Sequence, residues 1–242
     1  MQFLAVFSHP HITHYTSSMS VAFACWSCGT ALDNSPLLCP NCGKIQPSAG
    51  IDYFQAFSLD RKLSIDTVVL EREFHRLSRK LHPDRFARAS AEEQQWSLAA
   101  TALLNDAYRT LRDPIQRTEY LLKLEGLEIG EEHAGKGKSA DRQPPADLLE
   151  EVFELNMQLE EMRMNQKMGE NDPALQSDLT AARGKFESLL AAVDSNLAAT
   201  GETWDSGDAT ARKQAATTLA ALLDRRRYLR NLVRDVNEVL AP

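Results

Sequence analysis

The sequence predicts an all-α protein: a helical hairpin, then a C-terminal antiparallel three-helix bundle, with a small four-cysteine module in front. Three observations carry that prediction. Ala, Leu, Glu, Gln and Arg dominate from Ile51 onward, and alternating β-branched residues are scarce. Apolar residues recur at steps of three and four through the same stretch. All four cysteines of the 242-residue chain, Cys25, Cys28, Cys39 and Cys42, lie close together near its start. That is the pattern of one local site and not of a disulfide framework spread over a secreted domain.

Residues 1–20 contain no Lys, Arg, Asp or Glu. A secretory leader would carry a positive n-region and a longer apolar core, and a mitochondrial leader would carry arginines. This stretch therefore reads as either a leader or a disordered tail. Residues 21–48 hold the cysteine module, with the pattern C-x2-C-x10-C-x2-C written "CWSCG" and "CPNCG". Gly29 and Gly43 follow the two pairs and let the backbone turn so that amides can point at sulfur. Four thiolates select zinc or iron in tetrahedral geometry. With every position filled by protein, such a metal is structural and not a Lewis acid. Two disulfides, or reactive thiols, are the alternative reading of the same residues. Lys44 is the one basic residue between positions 20 and 60, and the formal net charge is −7, so nucleic acid is a poor partner.

"QPSAG" (46–50) reads as a short linker, and residues 51–126 then show helical periodicity in several pieces. Leu70, Phe74, Leu77 and Leu81 form one apolar stripe. Arg72, Arg76 and Arg79 repeat that spacing two residues later, about 200° round the helix, and Lys80 and Arg85 extend the basic face. Pro83 ends the helix and disfavours helical geometry at His82, so His82-Pro83-Asp84 forms a stiff, exposed turn. A His–Asp enzyme site would need a nucleophile or a pocket, and the chain shows no Gly-rich phosphate loop and no metal-type His pair. A rigid turn beside a cationic face suits an acidic protein surface, with charge speeding encounter and setting orientation. The plainer alternative is a solvated basic face.

Residues 127–145, rich in Gly, Pro and charge, read as a second linker. From 146 to 242 come three long helical patterns, divided by Asn171-Asp172-Pro173 and by Thr200 to Gly207. Asp172 suits an N-cap with Pro173 at the first helical position. Short loops make the bundle antiparallel. On its first helix Leu148, Val152, Leu155 and Leu159 form one stripe, and Leu149, Phe153 and Met157 a second about 100° away. One stripe is enough to pack a three-helix bundle, so the second is either a wide core face or a surface left outside. On the last helix Leu222, Leu229, Val233, Val236 and Leu240 make the expected core line, with Tyr228 one position off it.

In order along the chain, "DYFQAFSLD", "DTVVLEREFHRLSRKLHPDRF" and "LLNDAYRTLRDPIQRTEYLL" resemble the helices and the His-Pro-Asp loop of the J-domain family. The resemblance implies stimulation of ATP hydrolysis by a heat-shock-seventy-class chaperone. By it, His82, Pro83 and Asp84 carry the stimulation, Arg72, Arg76, Arg79 and Lys80 are the docking face, and Tyr53, Leu70, Phe74, Leu77, Leu81, Leu104, Ala107, Tyr108 and Leu111 are core. The segment "RTEYLLKLEGLEI", the linker and the helical tail are similar to the HscB (Jac-type) branch, the co-chaperones of iron–sulfur cluster biogenesis. This likeness covers roughly residues 52–242, and the cysteine module resembles that of animal-type mitochondrial members. It implies an apolar patch for an IscU-type iron–sulfur scaffold protein at Leu149, Phe153 and Tyr228, with Glu154 and Met157 at its margin. Glu150, where an apolar residue is usual, and Met157, where an acidic one is common, depart from the family pattern.

The expectation is thus a non-enzymatic adaptor in the mitochondrial matrix, with the cytoplasm as the alternative. It would carry structural zinc on its cysteines, bind no nucleotide itself, and have no nucleic-acid or membrane partner. Three rivals stand beside it: a general J-protein for unfolded clients, a zinc-dependent nucleic-acid binder, and a thiol redox enzyme.

Overall fold

Short polar side chains placed ahead of apolar-periodic runs open most of the helices. The computed structural model describes residues 23–32, 36–127 and 145–241. Asp52 opens α1 (Tyr53–Ala56) with a capping box closed by Gln55, and Asp66 opens α2 (Thr67–Leu81) by accepting from the amides of Val68 and Val69. Ser90 and Glu93 form the capping box of α3 (Ala91–Arg112). Asp113 and Pro114 start α4 (Pro114–Leu124), and Asp172 and Pro173 start α6 (Pro173–Ser206), each with proline at the first helical position. α5 (Leu149–Met168) follows a 3-10 turn and ends on Gly169 in the left-handed region, at φ 74°. α7 (Ala209–Leu240) is opened by Asp208. Among the described residues the strand content is small. β1 (Phe23–Ala24) and β2 (Ala31–Leu32) pair antiparallel inside the cysteine module, and Leu38 bridges Ile45. The leader expected at 1–20 and nearly all of the linker expected at 127–145 lie outside the described residues.

α2 and α3 pack as the expected hairpin, with Leu70, Leu77, Leu81, Leu104, Ala107 and Leu111 buried. Tyr53, Phe74 and Tyr108 are half-buried and close the edges of that core as stacked rings. Phe74 lies 4.2 Å from Tyr108, and Tyr53 lies 4.2 Å from Tyr120. Leu148, Val152, Leu155 and Leu159 bury as one stripe of the bundle, joined by Met162. On α7 the fully buried line is Leu219, Leu223, Leu229, Leu232, Val236 and Val239. Leu222, Val233 and Leu240, expected on that line, are half-buried and flank it. The buried sector is therefore wider than a single stripe and takes in the neighbouring Tyr228.

The stretch from Thr200 to Gly207, expected as a loop, is helical up to Ser206. Its Thr, Gly and Ser residues look like turn punctuation, but tertiary contacts hold them in the helix. Trp204 is buried, and Gly201 is buried against Leu63, from which an added Cβ would sit at ordinary contact distance, 3.4 Å. The Asp205 carboxylate accepts from the amides of Leu63 and Ser64, both at 2.7 Å. This end of α6 is the seam that fixes the hairpin unit to the bundle. The run Arg225-Arg226-Arg227 on α7 ties the bundle together and also reaches the hairpin unit, because consecutive helical residues point about 100° apart. Arg225 pairs with Asp147 ahead of α5, Arg226 with Asp194 of α6, and Arg227 with Glu119 of α4. We expect Asp205→Ala to lower stability by about 1–3 kcal/mol, since two backbone donors lose a charged acceptor. Urea unfolding measures this, and a change inside the error of the fit would show that the seam carries no such weight.

Candidate functional site

The cysteine module is built from two equivalent turns. In each, the glycine amide donates back to the first cysteine of the pair: Gly29 to the Cys25 carbonyl and Gly43 to the Cys39 carbonyl, both at 2.9 Å. Both glycines take φ 71°, which other residues reach only with strain. The turns face one another and bring the four sulfurs within 4.8 Å of each other, with Cys25–Cys42 and Cys28–Cys39 at 3.7 Å. Four sulfurs at ~2.3 Å from a tetrahedral metal are separated by about 3.8 Å. The observed spacing is thus a coordination edge. All four cysteines are free and none is at disulfide distance.

Electrostatics point the same way. The Thr30 hydroxyl and amide hold the Cys28 thiol down to about 6. At Cys42 the Lys44 amide pulls downward, but burial and the three neighbouring sulfurs outweigh it and push the thiol up to about 11. Four thiolates cannot ionise side by side without a cation, and a bound metal removes that penalty. Donors are already aimed at sulfur: the Ser27 amide and the Gln46 side chain at Cys25, both at 3.4 Å, and Asn41 at Cys28. The residues present therefore fit a four-coordinate metal.

At the far end of α2 the chain turns through a 3-10 segment, Pro83–Phe86. Leu81 is wholly buried and Phe86 packs against the core, so the corner is anchored at both ends. Between them His82 and Asp84 stand out, their side chains 57% and 91% exposed. The Asp84 amide donates to His82 Nδ1 at 3.3 Å, and the Asp84 carboxylate lies 3.5 Å from the same nitrogen. Arg72, Arg76, Arg79 and Lys80 are exposed on α2 leading to this corner, with Arg76 also paired to Glu73. His82, Asp84 and the four basic residues of α2 are thus all accessible, and Pro83 between them is half-buried.

On α5 the second stripe lies outside the core. Leu149, Phe153 and Met157 are 57%, 67% and 60% exposed, and Glu154 is exposed beside them. Tyr228 does not join them at the surface, which corrects the expectation that it contacts a partner. It is 5% exposed, and its hydroxyl has no hydrogen-bond partner among the described residues. The broad buried face of α7 absorbs it. Sequence reasoning also missed the continuation of the stripe at Met164 and Met168, both exposed. Their spacing, seven residues from Met157 to Met164 and four more to Met168, was the available signal.

No protein-family model matches the chain. Among curated proteins, it is 36% identical over 155 residues to the mouse protein "Iron-sulfur cluster co-chaperone protein HscB", covering 62% of this chain and 63% of the relative. It is 35% identical over 150 residues to the human protein of the same name, covering 60% and 61%. An 82-residue stretch is 45% identical to "Co-chaperone protein HscB homolog" of Shewanella halifaxensis, over 47% of that protein. The matched region thus spans less than two thirds of the length of these relatives. The crystal structure of human co-chaperone protein HscB superposes with a TM-score of 0.57 at 27% identity, covering 89% of this chain and 97% of that one. The chaperone HscB of Vibrio cholerae shares the fold, with a TM-score of 0.50 at 24% identity, over 78% of this chain and 96% of that one. The chain that carries the four-cysteine cluster, the His-Pro-Asp corner and the helical tail is thus similar in sequence and in fold to HscB co-chaperones.

Proposed function

We propose that the protein is a two-headed adaptor that holds an iron–sulfur cluster scaffold protein on α5 and presents it to a heat-shock-seventy-class chaperone at His82-Pro83-Asp84. The observation that carries this reading is an exposed His-Pro-Asp corner and an exposed apolar stripe built on a single buried core. Joining two modest contacts on one body raises the effective concentration of each partner for the other. The chain performs no bond chemistry in this reading. ATP and the cluster belong to the partners. The same family likeness supports zinc as the metal on Cys25, Cys28, Cys39 and Cys42, and the mitochondrial matrix as the site of action.

Steady-state ATPase assays with purified chaperone, scaffold and this chain test the proposal. The chain and the scaffold together should stimulate the chaperone more than the sum of their separate effects. A purely additive result would sink the adaptor reading, and activation by any unfolded peptide in place of the scaffold would favour a general J-protein.

A further inference from the structure

The metal module does not hang from the chain as a separate appendage. Its Leu37 and Ile45 belong to the same buried cluster as the J-domain helices, and Ile45 is fully enclosed. Its contact with α3 is specific. The Trp26 ring meets the Trp96 ring edge-on, with centroids 5.6 Å apart, and Trp26 Nε1 donates to the Ile45 carbonyl at 2.7 Å. Lys44 Nζ lies 5.8 Å from the centre of the Trp26 ring and donates to Glu93 at 2.9 Å. Glu93 is buried, and its other oxygen receives the Ser90 amide and hydroxyl at 3.4 Å. One carboxylate therefore ties the module to the N-terminal cap of α3.

The first turns of α3 in turn hold the His-Pro-Asp corner. Gln94 donates to the Ala89 carbonyl at 3.0 Å and reaches the Ala87 carbonyl at 3.5 Å, gripping the segment after the corner. Ser97 and Thr101 donate to the Leu81 carbonyl at 2.6 and 3.2 Å, gripping the residue before it. That carbonyl sits at the end of α2, where the helix has no further amide to offer. Module, α3 cap and corner thus form one series of contacts, carried by the part of α3 from its cap at Ser90 to Thr101.

We infer that Trp26, Lys44, Glu93 and Trp96 are positioning residues for His82-Pro83-Asp84, and that metal on the four cysteines holds the corner in place through them. Leu37 and Ile45 anchor one side of the module in the main core, but the turns that carry Trp26 and the thiols bury only Cys25, Leu32 and Cys39 among themselves, so their order depends on the metal. Loss of the metal releases Trp26 and Lys44 from α3, and the α3 cap then opens more often. This inference rests on the reading of the corner as the chaperone contact only for its functional consequence. The coupling itself is a property of the chain alone.

Hydrogen exchange of the full-length, zinc-loaded protein tests it, with metal content measured in parallel. Chelation should accelerate amide exchange across residues 81–101 by about tenfold while leaving α6 and α7 unaffected. Trp96→Ala, which leaves the module's own residues intact, should do the same with one metal still bound per chain. The conservative variant Lys44→Arg, which keeps a cation on Glu93, should keep the wild-type protection, a rescue that a general loss of stability would not show. Unchanged exchange across 81–101 in either the chelated protein or Trp96→Ala overturns the inference. If exchange responds as expected while the wild type stimulates no chaperone, the coupling stands and the adaptor function falls.

Discussion

His82→Gln is expected to abolish stimulation of a heat-shock-seventy-class ATPase while leaving the helical circular dichroism and the unfolding midpoint essentially unchanged. The imidazole is 57% exposed, and among the described residues it meets the amide and carboxylate of Asp84, two residues away. The corner is held by groups that the substitution does not touch: Leu81 and Phe86 in the core, Pro83 with its restricted φ, and the Ser97 and Thr101 hydroxyls on the Leu81 carbonyl. Exposed substitutions away from such anchors shift stability by less than about 0.5 kcal/mol. Stimulation that survived this change would refute the assignment of the corner as the chaperone contact. High salt should weaken the wild-type interaction as well, because Arg72, Arg76, Arg79 and Lys80 are exposed and their attraction to an acidic surface is screened.

Replacing Leu149, Phe153 and Met157 together by Ala is expected to reduce scaffold binding by about a hundredfold or more, the loss typical of a cluster of interface hot spots, with the bundle still folded. Tyr228→Ala should behave in the opposite way. It empties a buried aromatic site and is expected to cost about 3–5 kcal/mol of stability. Tyr228→Phe separates the two roles. It keeps the packing and removes a buried hydroxyl that has no partner among the described residues, so stability should hold or rise by up to about 1 kcal/mol.

The pH dependence of stability gives a second readout. Burial, followed by the Asp235 charge, raises the Tyr228 phenol above its ordinary value of 10.0. The folded state therefore keeps the neutral phenol longer than the unfolded chain does. The contribution is complete below pH 10.0 and is lost as pH rises through that value toward the raised one. Tyr228→Phe should flatten that alkaline decline. A triple alanine variant of the α5 stripe that melted far below wild type, or a Tyr228→Ala variant that melted with it, would reverse the respective assignments.

The contrast between Phe153 and Tyr228 shows where reading from the sequence stops. Both lie one step off an apolar line on a long helix, and nothing local distinguishes them. α5 packs with a narrow face, so Phe153 stays outside. α7 lies against α4, α5 and α6 at once, so its buried sector widens to include Tyr228. The same partner count explains Arg227, a charged residue drawn to 9% exposure by its pair with Glu119 and Asp224. Thr200 to Gly207 belongs with these cases, since its composition reads as a turn until Trp204, Gly201 and Asp205 are seen packed against the segment around Leu63.

The sequence by itself determined whatever depends on near neighbours along the chain. This covers the helix starts at Asp66, Ser90, Asp113, Asp172 and Asp208, the glycine turns that gather four sulfurs, and the break that Pro83 imposes after a basic helix. These follow from capping, φ restriction and periodicity, which act over a few residues. The tertiary structure alone decided which of two equivalent apolar stripes is covered, how far α6 runs, and that the cysteine module sits on α3 beside the corner. Those outcomes depend on how many elements crowd one face, and on contacts between residues such as Lys44 and Glu93, 49 positions apart, that no local pattern encodes.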